Sequence, residues 1–327
     1  MTNKELILSR LLDAEGDFVS GGELAEGLSI SRTAIWKGVE SLRQDGYPIE
    51  AAAGKGYCLQ AGTDILSEEG ILRYLKTQGV RLRIEKCVPS TNTMLKDMAE
   101  RGEPELLCIA SGKQTAGRGR IGRSFYSPAD SGLYFSILLR PNERAEDASR
   151  LTACAAVSVC ETIEALAPVQ PKIKWVNDVL VNGQKVCGIL TEASIDFESG
   201  HVSYMVVGIG INIRTPAEGY PDELRGIAGA AFDSMSIPDL RNRLLAGTLD
   251  RLLYWYRCPE DRDWICRYRE RSAVLGKKIL ILAPGKNPEA AFALGLDDAC
   301  GLIVRTDAGE QKTLTAGEVS IRPEPCS

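Results

Sequence analysis

Histidine is almost absent from this chain: of its 327 residues only His201 is a histidine. Zinc sites that need two or more histidine ligands are therefore excluded, and a Ser-His-Asp mechanism would have to use this one residue. The ten cysteines include no C-x-x-C pair and read as scattered small apolar residues. Because a chain of this length needs no disulfides for stability, we expect it to work in the reducing cytoplasm.

Long apolar runs are missing as well. No run reaches the roughly 18 residues that a transmembrane helix needs, and the charged N-terminus lacks a signal-peptide pattern, so we expect a soluble protein with no membrane partner. The composition, 44% apolar and 25% charged, is that of an ordinary globular protein, which excludes extensive disorder. The net charge is -5, so a surface that binds a polyanion must be local.

The length predicts two to three domains, and the first region, residues 1–63, has the pattern of a winged helix-turn-helix. Apolar residues recur at helical spacing near the N-terminus, and Ser20 with Glu23 forms a capping box that opens a short helix ending near Ala25. Ser31 caps a third helix, and glycines around Lys55 indicate a β-hairpin.

The remaining residues divide into two more predicted domains. In residues 64–272, consecutive strands joined by hairpins, with Asn182-Gly183 as a type I′ turn, favour an α+β fold. Long helices are predicted over residues 148–166 and 238–256. Strands are predicted over residues 83–88, 106–110, 133–139, 173–175, 179–181, 185–192 and 202–213. Short strands with glycine turns in residues 273–327 predict a small β-barrel.

The most informative stretch is Gly112–Arg123, called here the Gly–Arg loop. It carries four basic residues and no acidic one, and its glycines let backbone N–H groups approach an anion closely, which suits phosphate binding. Gly117-x-Gly119-x-x-Gly122 matches a dinucleotide fingerprint, but Phe125-Tyr-Ser-Pro does not begin the helix that this fingerprint requires, and no Walker A motif occurs. The alternative is a solvated basic loop.

The runs GRGRIGRSFYSP and KWVNDVLVNGQKVCGIL resemble biotin–protein ligases. The N-terminal winged helix makes the chain similar to the bifunctional ligases that also repress the biotin operon. The resemblance covers the whole chain and implies a central mixed α/β domain like that of biotin and lipoate ligases and an SH3-like C-terminal barrel. It further implies that ATP activates biotin to biotinyl-5′-AMP, from which biotin passes to a lysine of a biotin-carrier domain.

The resemblance also assigns roles to residues. As catalytic residues it implies Arg118, Arg120, Asp178 and Lys185. Biotin would be bound by Ser90, Thr91, Asn92, Gln114, Gly117, Arg118, Gly119, Arg120, Lys185, Gly188, Gly208 and Gly210. ATP would be bound by Arg120, Arg123, Phe125, Asn177, Asn212 and Arg322. Mg²⁺ would come with ATP, and Asp178 would either hold it or help the acceptor lysine lose its proton.

The DNA-binding expectation concerns one face of the third helix. Residues 1–60 contain six basic and nine acidic residues, which is unfavourable for a nucleic-acid binder as a whole. The expected DNA-contacting residues on the helix and the wing are Arg32, Thr33, Trp36, Lys37, Arg43 and Lys55. Trp36 and Gly38 replace polar residues common in the family, which implies a different operator sequence. Alternatively, the winged helix serves only protein contacts or regulation.

The resemblance implies that binding of the adenylate orders the Gly–Arg loop and favours a homodimer, which then binds operator DNA. Two other functions compete with this one. In the first, the protein is a ligand-sensing transcription factor that has lost ligase chemistry, which the intact set of Arg118, Arg120, Asp178 and Lys185 disfavours. In the second, it is a lipoate-attaching relative, which the GRGRIGR run and the winged helix disfavour.

Overall fold

The computed structural model describes residues 2–141, 148–196, 201–233, 235–283, 285, 287–315 and 320–323. The chain divides into two compact units. The first comprises Met1–Lys76 with Ser234–Ala246, and the second comprises Thr77–Asp233 with Gly247–Ser327. The segments at residues 64–76 and 234–246 thus group with the winged helix. The domain boundaries 1–63, 64–272 and 273–327 stay predictions.

The first unit confirms the predicted winged helix-turn-helix. Its elements are α1 (Asn3–Asp13), α2 (Gly21–Leu28), α3 (Arg32–Gln44), β1 (Ile49–Ala52), β2 (Gly56–Leu59) and α4 (Glu68–Tyr74). The capping box is present, since Glu23 N–H donates to the Ser20 hydroxyl and Ser20 N–H to the Glu23 carboxylate. The second helix runs three residues further than predicted and ends where Ser29 adopts a left-handed conformation. β1 and β2 pair antiparallel as the wing.

Gly38 is buried in the first unit, and this corrects the expectation that it affects which operator sequence is read. α1, α2, α3 and the wing bury one apolar cluster, and a side chain at Gly38 would meet the Ile7 side chain at 2.4 Å. The position therefore lets α3 pack closely on α1, and it is buried instead of lying on the exposed face of the helix. The operator argument built on Gly38 is wrong, whereas Trp36, 55% exposed, remains on the outer face of α3.

The second unit is built on a mixed seven-stranded sheet, and the seven predicted strands and the two predicted long helices lie within about three residues of their predicted bounds, whereas α5 and α8 were given no predicted bounds. Its elements are β3 (Arg81–Glu85), α5 (Thr91–Glu100), β4 (Leu107–Ser111), β5 (Gly132–Leu139), α6 (Ala148–Leu166), β6 (Lys172–Lys174), β7 (Asp178–Val181), β8 (Gln184–Ile195), β9 (Val202–Asn212), the part of α7 (Leu240–Arg257) that follows Ala246, and α8 (Asp263–Arg271). The strand order is β3-β4-β5-β9-β8-β7-β6, with only β3 and β4 parallel. Positive φ angles at Asn182 and Gly183 agree with the predicted type I′ turn.

The two faces of this sheet are covered differently. α6 lies on one face, where Thr152 donates a hydrogen bond to Thr191 of β8. α5 covers part of the opposite face, with Leu95 in a cluster that includes Leu138 and Val206. Because side chains alternate along a strand, this second face also carries Gly188, Gly208 and Gly210. The glycines leave a hollow beyond the N-terminus of α5.

The C-terminal region forms a five-stranded antiparallel sheet, which confirms a small β domain. Its strands are β10 (Lys278–Leu282), β11 (Glu289–Leu296), β12 (Leu302–Thr306), β13 (Gln311–Leu314) and β14 (Ser320–Pro323). The order is β13-β12-β11-β10-β14. Trp175 joins it to the central sheet by donating its indole N–H to the Cys300 carbonyl at 2.8 Å. Among the described residues no helix is long and apolar enough to span a membrane.

Candidate active site

The Gly–Arg loop folds back on itself as a narrow hairpin at the edge of the hollow. The Phe125 N–H donates to the Gly117 carbonyl at 2.9 Å, and Arg120–Gly122 form a single 3-10 turn at the tip. A side chain at Gly117 would lie 2.4 Å from the Phe125 carbonyl oxygen, so the hairpin requires glycine there. No helix follows the glycines, which confirms that the dinucleotide fingerprint does not apply.

Lys185 reaches the hollow because β8 carries a bulge. Asp178 pairs with Gly188 and Leu180 with Lys185, so one residue of β8, Val186, has no opposite partner. Without the bulge, Lys185 and Gly188 would point to opposite faces, since they are three residues apart. With it they share a face, and Lys185 Nζ forms an ion pair with Asp178 Oδ1 at 2.6 Å. The bulge thus places a cation and a carboxylate beside the glycines.

A strongly basic pocket of about 130 Å³ lies next to this ion pair. Its charged lining residues are Arg120, Arg123, Lys174, Asp178 and Lys185. Arg120 is held by Asn177, whose Oδ1 accepts from Nη1 at 3.1 Å and whose amide donates to the Ile189 carbonyl at 2.8 Å. Burial lowers the pKa of Arg120, as does the neighbouring Arg123, while Asp178 opposes the shift. Four cations against one carboxylate make a site suited to phosphate groups.

A chain of hydrogen bonds lines the other end of the hollow. The Asn92 Oδ1 accepts from the Ser136 hydroxyl at 2.6 Å, and that hydroxyl lies 2.6 Å from the Thr91 hydroxyl. The Thr91 hydroxyl also lies 3.3 Å from Gln114 Oε1, but because Ser136 gives its proton to Asn92, the single Thr91 proton belongs to the shorter contact with Ser136. Gln114 accepts from the Thr91 N–H at 2.9 Å and donates to Ser127 at 3.1 Å. The Thr91 oxygen is left able to accept an N–H from a polar ring.

The orientation of the Asn92 amide follows from its two acceptors. Its nitrogen donates to the Leu190 carbonyl and to the Glu192 carboxylate, both at 3.1 Å. Glu192 also forms ion pairs with Lys96 and Arg118. Arg118 and Arg120 therefore diverge, the first toward β8 and the second toward Asn177. Of the four predicted catalytic residues, the structure gathers Arg120, Asp178 and Lys185, and it directs Arg118 to Glu192.

The three strand glycines are approached by side chains in this structure. A side chain at Gly208 would meet Asn92 Oδ1 at 1.9 Å, and one at Gly210 would meet the Phe125 ring at 2.5 Å. The Phe125 ring also lies close to Gly188. Glycine at these positions therefore keeps Asn92 and Phe125 close to the sheet. Contact between the glycines and a ligand stays a prediction.

Phe125 and Lys185 border every part of the site. Both line the basic pocket, a small cavity of about 50 Å³ at the Asn92 end, and a cleft of about 810 Å³. The cleft is bounded on its far side by a segment that the sequence did not single out: Tyr220, Pro221, Glu223, Leu224, Ile227 and Ala228. Asn212 holds the C-terminal end of this segment, since the Asn212 amide donates to the Gly229 carbonyl at 3.1 Å.

Sequence reasoning missed several residues of this site. Ser136 was detectable as a lone polar residue in the buried strand Gly132–Leu139. Lys174 opens the KWVND run but was given no role, and Lys96 and Glu192 gave no sequence signal that separates them from ordinary surface charges. Ser90 caps α5, with the Thr93 N–H 3.4 Å from its hydroxyl, and its ligand contact stays a prediction. The Arg322 side chain lies outside the described residues.

The predicted DNA-contacting residues fall into two groups. Arg32, Thr33, Trp36 and Lys37 are exposed on α3, and Lys55 is exposed on the wing. Arg43 instead donates from Nε to the Ile49 carbonyl at 2.9 Å and from Nη1 to Glu40 at 2.6 Å. The first bond ties α3 to the first wing strand and the second lies within α3, which together favour a structural role for Arg43; its contact with DNA stays a prediction.

Comparison with known proteins agrees with this architecture. Residues 84–212 match the biotin/lipoate A/B protein ligase family, residues 3–58 an HTH domain, and residues 274–322 the biotin protein ligase C terminal domain. The bifunctional ligase/repressor BirA of Bacillus spizizenii and that of Bacillus subtilis are each 34% identical, over 96% of this chain and 98% of the relative. The biotin protein ligase from Aquifex aeolicus in complex with biotin and ATP has a TM-score of 0.63 and 27% identity, covering 75% of this chain and 99% of that one.

The sheet with its three glycines and the basic Gly–Arg loop beside them define the class of protein, which is a ligase of the biotin and lipoate type. The match to the two Bacillus proteins extends over nearly their full length and includes the helix-turn-helix region. The chain therefore belongs to the family of bifunctional biotin protein ligases that are also repressors.

Proposed function

We propose that the protein attaches biotin to a carrier-domain lysine in two steps and that the intermediate controls DNA binding. In the first step, a biotin carboxylate oxygen attacks the α-phosphorus of ATP, giving biotinyl-5′-AMP and pyrophosphate. In the second, the lysine amine attacks the acyl carbon, AMP leaves, and an amide bond remains. The observation that carries this proposal is the meeting of a cavity, a cleft and a basic pocket at Lys185 and Phe125.

Each part suits one portion of the adenylate. The Thr91, Asn92 and Gln114 chain offers hydrogen bonds to a polar ring such as that of biotin. The cleft beside Phe125 and Tyr220 has room for adenosine, and Phe125 offers an aromatic face for stacking. The basic pocket takes the phosphates. Lys185, next to all three, is placed to bring the carboxylate and the α-phosphate together.

The chain's own residues lower the barrier electrostatically. The attack brings two anions together, and negative charge grows on the phosphoryl oxygens and the departing pyrophosphate. Arg120 and Lys185 are already fixed by Asn177 and Asp178, so they need little rearrangement to stabilise that charge. The Gly–Arg loop would also shield the mixed anhydride from water.

Mg²⁺ would accompany ATP in this reaction and neutralise phosphate charge. Within the described part of the chain, no group of three or more His, Cys, Asp or Glu residues could hold a metal ion. A single carboxylate, Asp178, beside a phosphate pocket fits a cation bound mainly through the nucleotide. In the second step Asp178 could instead help the acceptor lysine lose its proton, and both roles stay open.

The same proposal covers the partners and the compartment. Biotinyl-AMP, by adding contacts to the Gly–Arg loop that Glu192 and Asn177 already hold, would favour a homodimer whose two winged helices bind the operator of biotin-synthesis genes. The exposed α3 face with Arg32 and Lys37 supports this DNA contact over a winged helix used only for protein contacts. The described cysteines are all free, which supports a reducing compartment, the cytoplasm.

Two measurements test the proposal. Pyrophosphate release from ATP should be stimulated by biotin and not by lipoate; absence of stimulation by either acid would refute the enzymatic half. DNA upstream of the host's biotin-synthesis genes should be bound at fixed salt only when biotin and ATP are both present. No specific binding in either state would leave a ligase whose winged helix serves another contact.

A further inference from the structure

Glu192 joins two elements of the site through one carboxylate. From α5 it receives the Asn92 amide at 3.1 Å and the Lys96 ammonium at 2.9 Å. From the Gly–Arg loop it receives Arg118, whose Nη1 lies 3.1 Å from Oε1 and 3.2 Å from Oε2. Asn92 and Lys96 are one helical turn apart, so the same face of α5 holds Glu192 in place.

The surroundings of Glu192 keep it charged. Its side chain is 17% exposed, whereas that of Arg118 is 46% exposed. Burial alone would raise the pKa of Glu192, but hydrogen bonds from Lys96 and Asn92, with the charges of Lys96 and Arg118, outweigh it and hold the pKa below the ordinary value. A fixed anion thus faces a more exposed cation on the loop.

The second attachment of the loop lies two residues further along. Arg120 is bonded to Asn177, which is itself tied to the β8 backbone. Gly119, between the two arginines, lines the small cavity together with Gly188 and Gly208. The loop is therefore held on both sides of Gly188 and Gly208. Glu192 holds it near the hydrogen-bond chain of Asn92, and Asn177 holds it beside the basic pocket.

We propose that Glu192 is a positioning residue that anchors the Gly–Arg loop across the site through Arg118 and thereby retains the activated intermediate. The inference rests on the proposed function for the identity of that intermediate. It assigns Glu192 no contact with the reacting atoms. The competing interpretation is that Glu192 only braces α5 through Lys96, in which case the loop would not respond to its charge.

The main experiment measures how fast biotinyl-AMP leaves the full-length protein. Glu192→Gln keeps the side-chain length and an acceptor for Asn92 but removes the charge that holds Arg118. Because Arg118 is partly exposed, we expect the dissociation rate to rise about fivefold, with a smaller effect on the rate of adenylate formation at saturating biotin and ATP. An unchanged dissociation rate would overturn the proposal.

Two controls separate the anchor from the brace. Lys96→Met removes the cation on α5 and leaves Arg118 paired with Glu192, so retention of biotinyl-AMP should stay as in the unaltered protein. A loss of retention equal to that of Glu192→Gln would mean that Glu192 only braces α5, and it would overturn the proposed anchoring of the loop. Glu85→Gln breaks a comparable carboxylate–arginine pair with Arg83, elsewhere on the sheet, and should not affect retention. Combined with Arg118→Leu, Glu192→Gln should add little further loss.

A ligand-free measurement keeps this inference distinct from the proposed function. Trypsin should cut after Arg120 and Arg123 several times faster in Glu192→Gln than in the unaltered protein or Glu85→Gln, because the loop has lost one attachment. Equal rates would overturn the anchor even if biotinyl-AMP forms normally. Faster cutting in a protein that forms no adenylate would support the anchor and refute the proposed function.

Discussion

Two basic surfaces stand out in this acidic chain, and they are organised in opposite ways. In the Gly–Arg loop, Arg118 and Arg120 are each held by a specific partner, Glu192 or Asn177. On α3, Arg32 and Lys37 extend from exposed helix positions. In the first surface the cations are fixed before a small ligand with defined charge positions binds, and this preorganisation lowers the activation barrier of the reaction. The second suits a long polyanion, where affinity comes from neutralised phosphates and counterion release.

This contrast predicts different responses to mutation. Removing a cation from the preorganised surface should affect a reaction rate or the retention of an intermediate. Removing one from the α3 surface should weaken binding modestly and reduce its salt dependence. The four variants below test this, in order of decreasing effect.

Lys185→Met should have the largest effect. The change removes the cation nearest the junction of the three pockets and leaves Asp178, 19% exposed, without its ion-pair partner and close to incoming phosphates. We expect biotin-dependent pyrophosphate exchange to slow by about 10² to 10³, the usual loss when one group that stabilises developing charge is removed. Lys172→Met, on the exposed side of β6, is the matched control and should keep its rate. A loss below about threefold would show that Lys185 does not act on the reacting groups.

Arg120→Gly should act mainly on retention. The Asn177 attachment at the phosphate end of the loop would be lost, together with one cation of the basic pocket. We expect free biotinyl-AMP to appear in solution, with a dissociation rate raised about tenfold or more, because a hydrogen bond to a charged group is removed. Filter binding of labelled adenylate measures this. Arg120→Lys keeps the charge and should recover part of the retention; no escape of adenylate from Arg120→Gly would contradict the shielding role.

The contrast also shows which features the sequence could predict. The Gly–Arg loop and the alternating strands were predictable because glycine, charge and apolar periodicity are local signals. The direction of the Lys185 side chain could not be derived from strand alternation, because it depends on the bulge at Val186 in the pairing of β7 with β8, and only the family resemblance implied its place in the site. The roles of Gly38 and Arg43 were hidden for a similar reason: α1 packs on the glycine, and the wing strand supplies the carbonyl that Arg43 binds. Such effects depend on which segments meet in the fold.

Lys37→Ala tests the α3 surface. If Lys37 contacts one phosphate of the operator, its loss should weaken binding several-fold at moderate salt. The slope of log affinity against log salt should become shallower by about 0.9. The measurement is a salt titration of DNA binding with biotin and ATP present. Adenylate formation, which depends on the other surface, should be unchanged. A slope that does not change would remove Lys37 from the DNA contact.

Arg43→Ala should give the smallest effect on DNA binding, although Arg43 is also a basic residue of α3. Its guanidinium is bound to the Ile49 carbonyl and the Glu40 carboxylate, so its loss should lower the stability of the winged helix by about 1 kcal/mol, allowing for its partial exposure. The salt slope should stay the same, because no phosphate contact is lost. Thermal unfolding and the salt titration used for Lys37→Ala decide this. A slope reduced by about 0.9 with unchanged unfolding would mean that Arg43 leaves Glu40 for a phosphate when DNA binds.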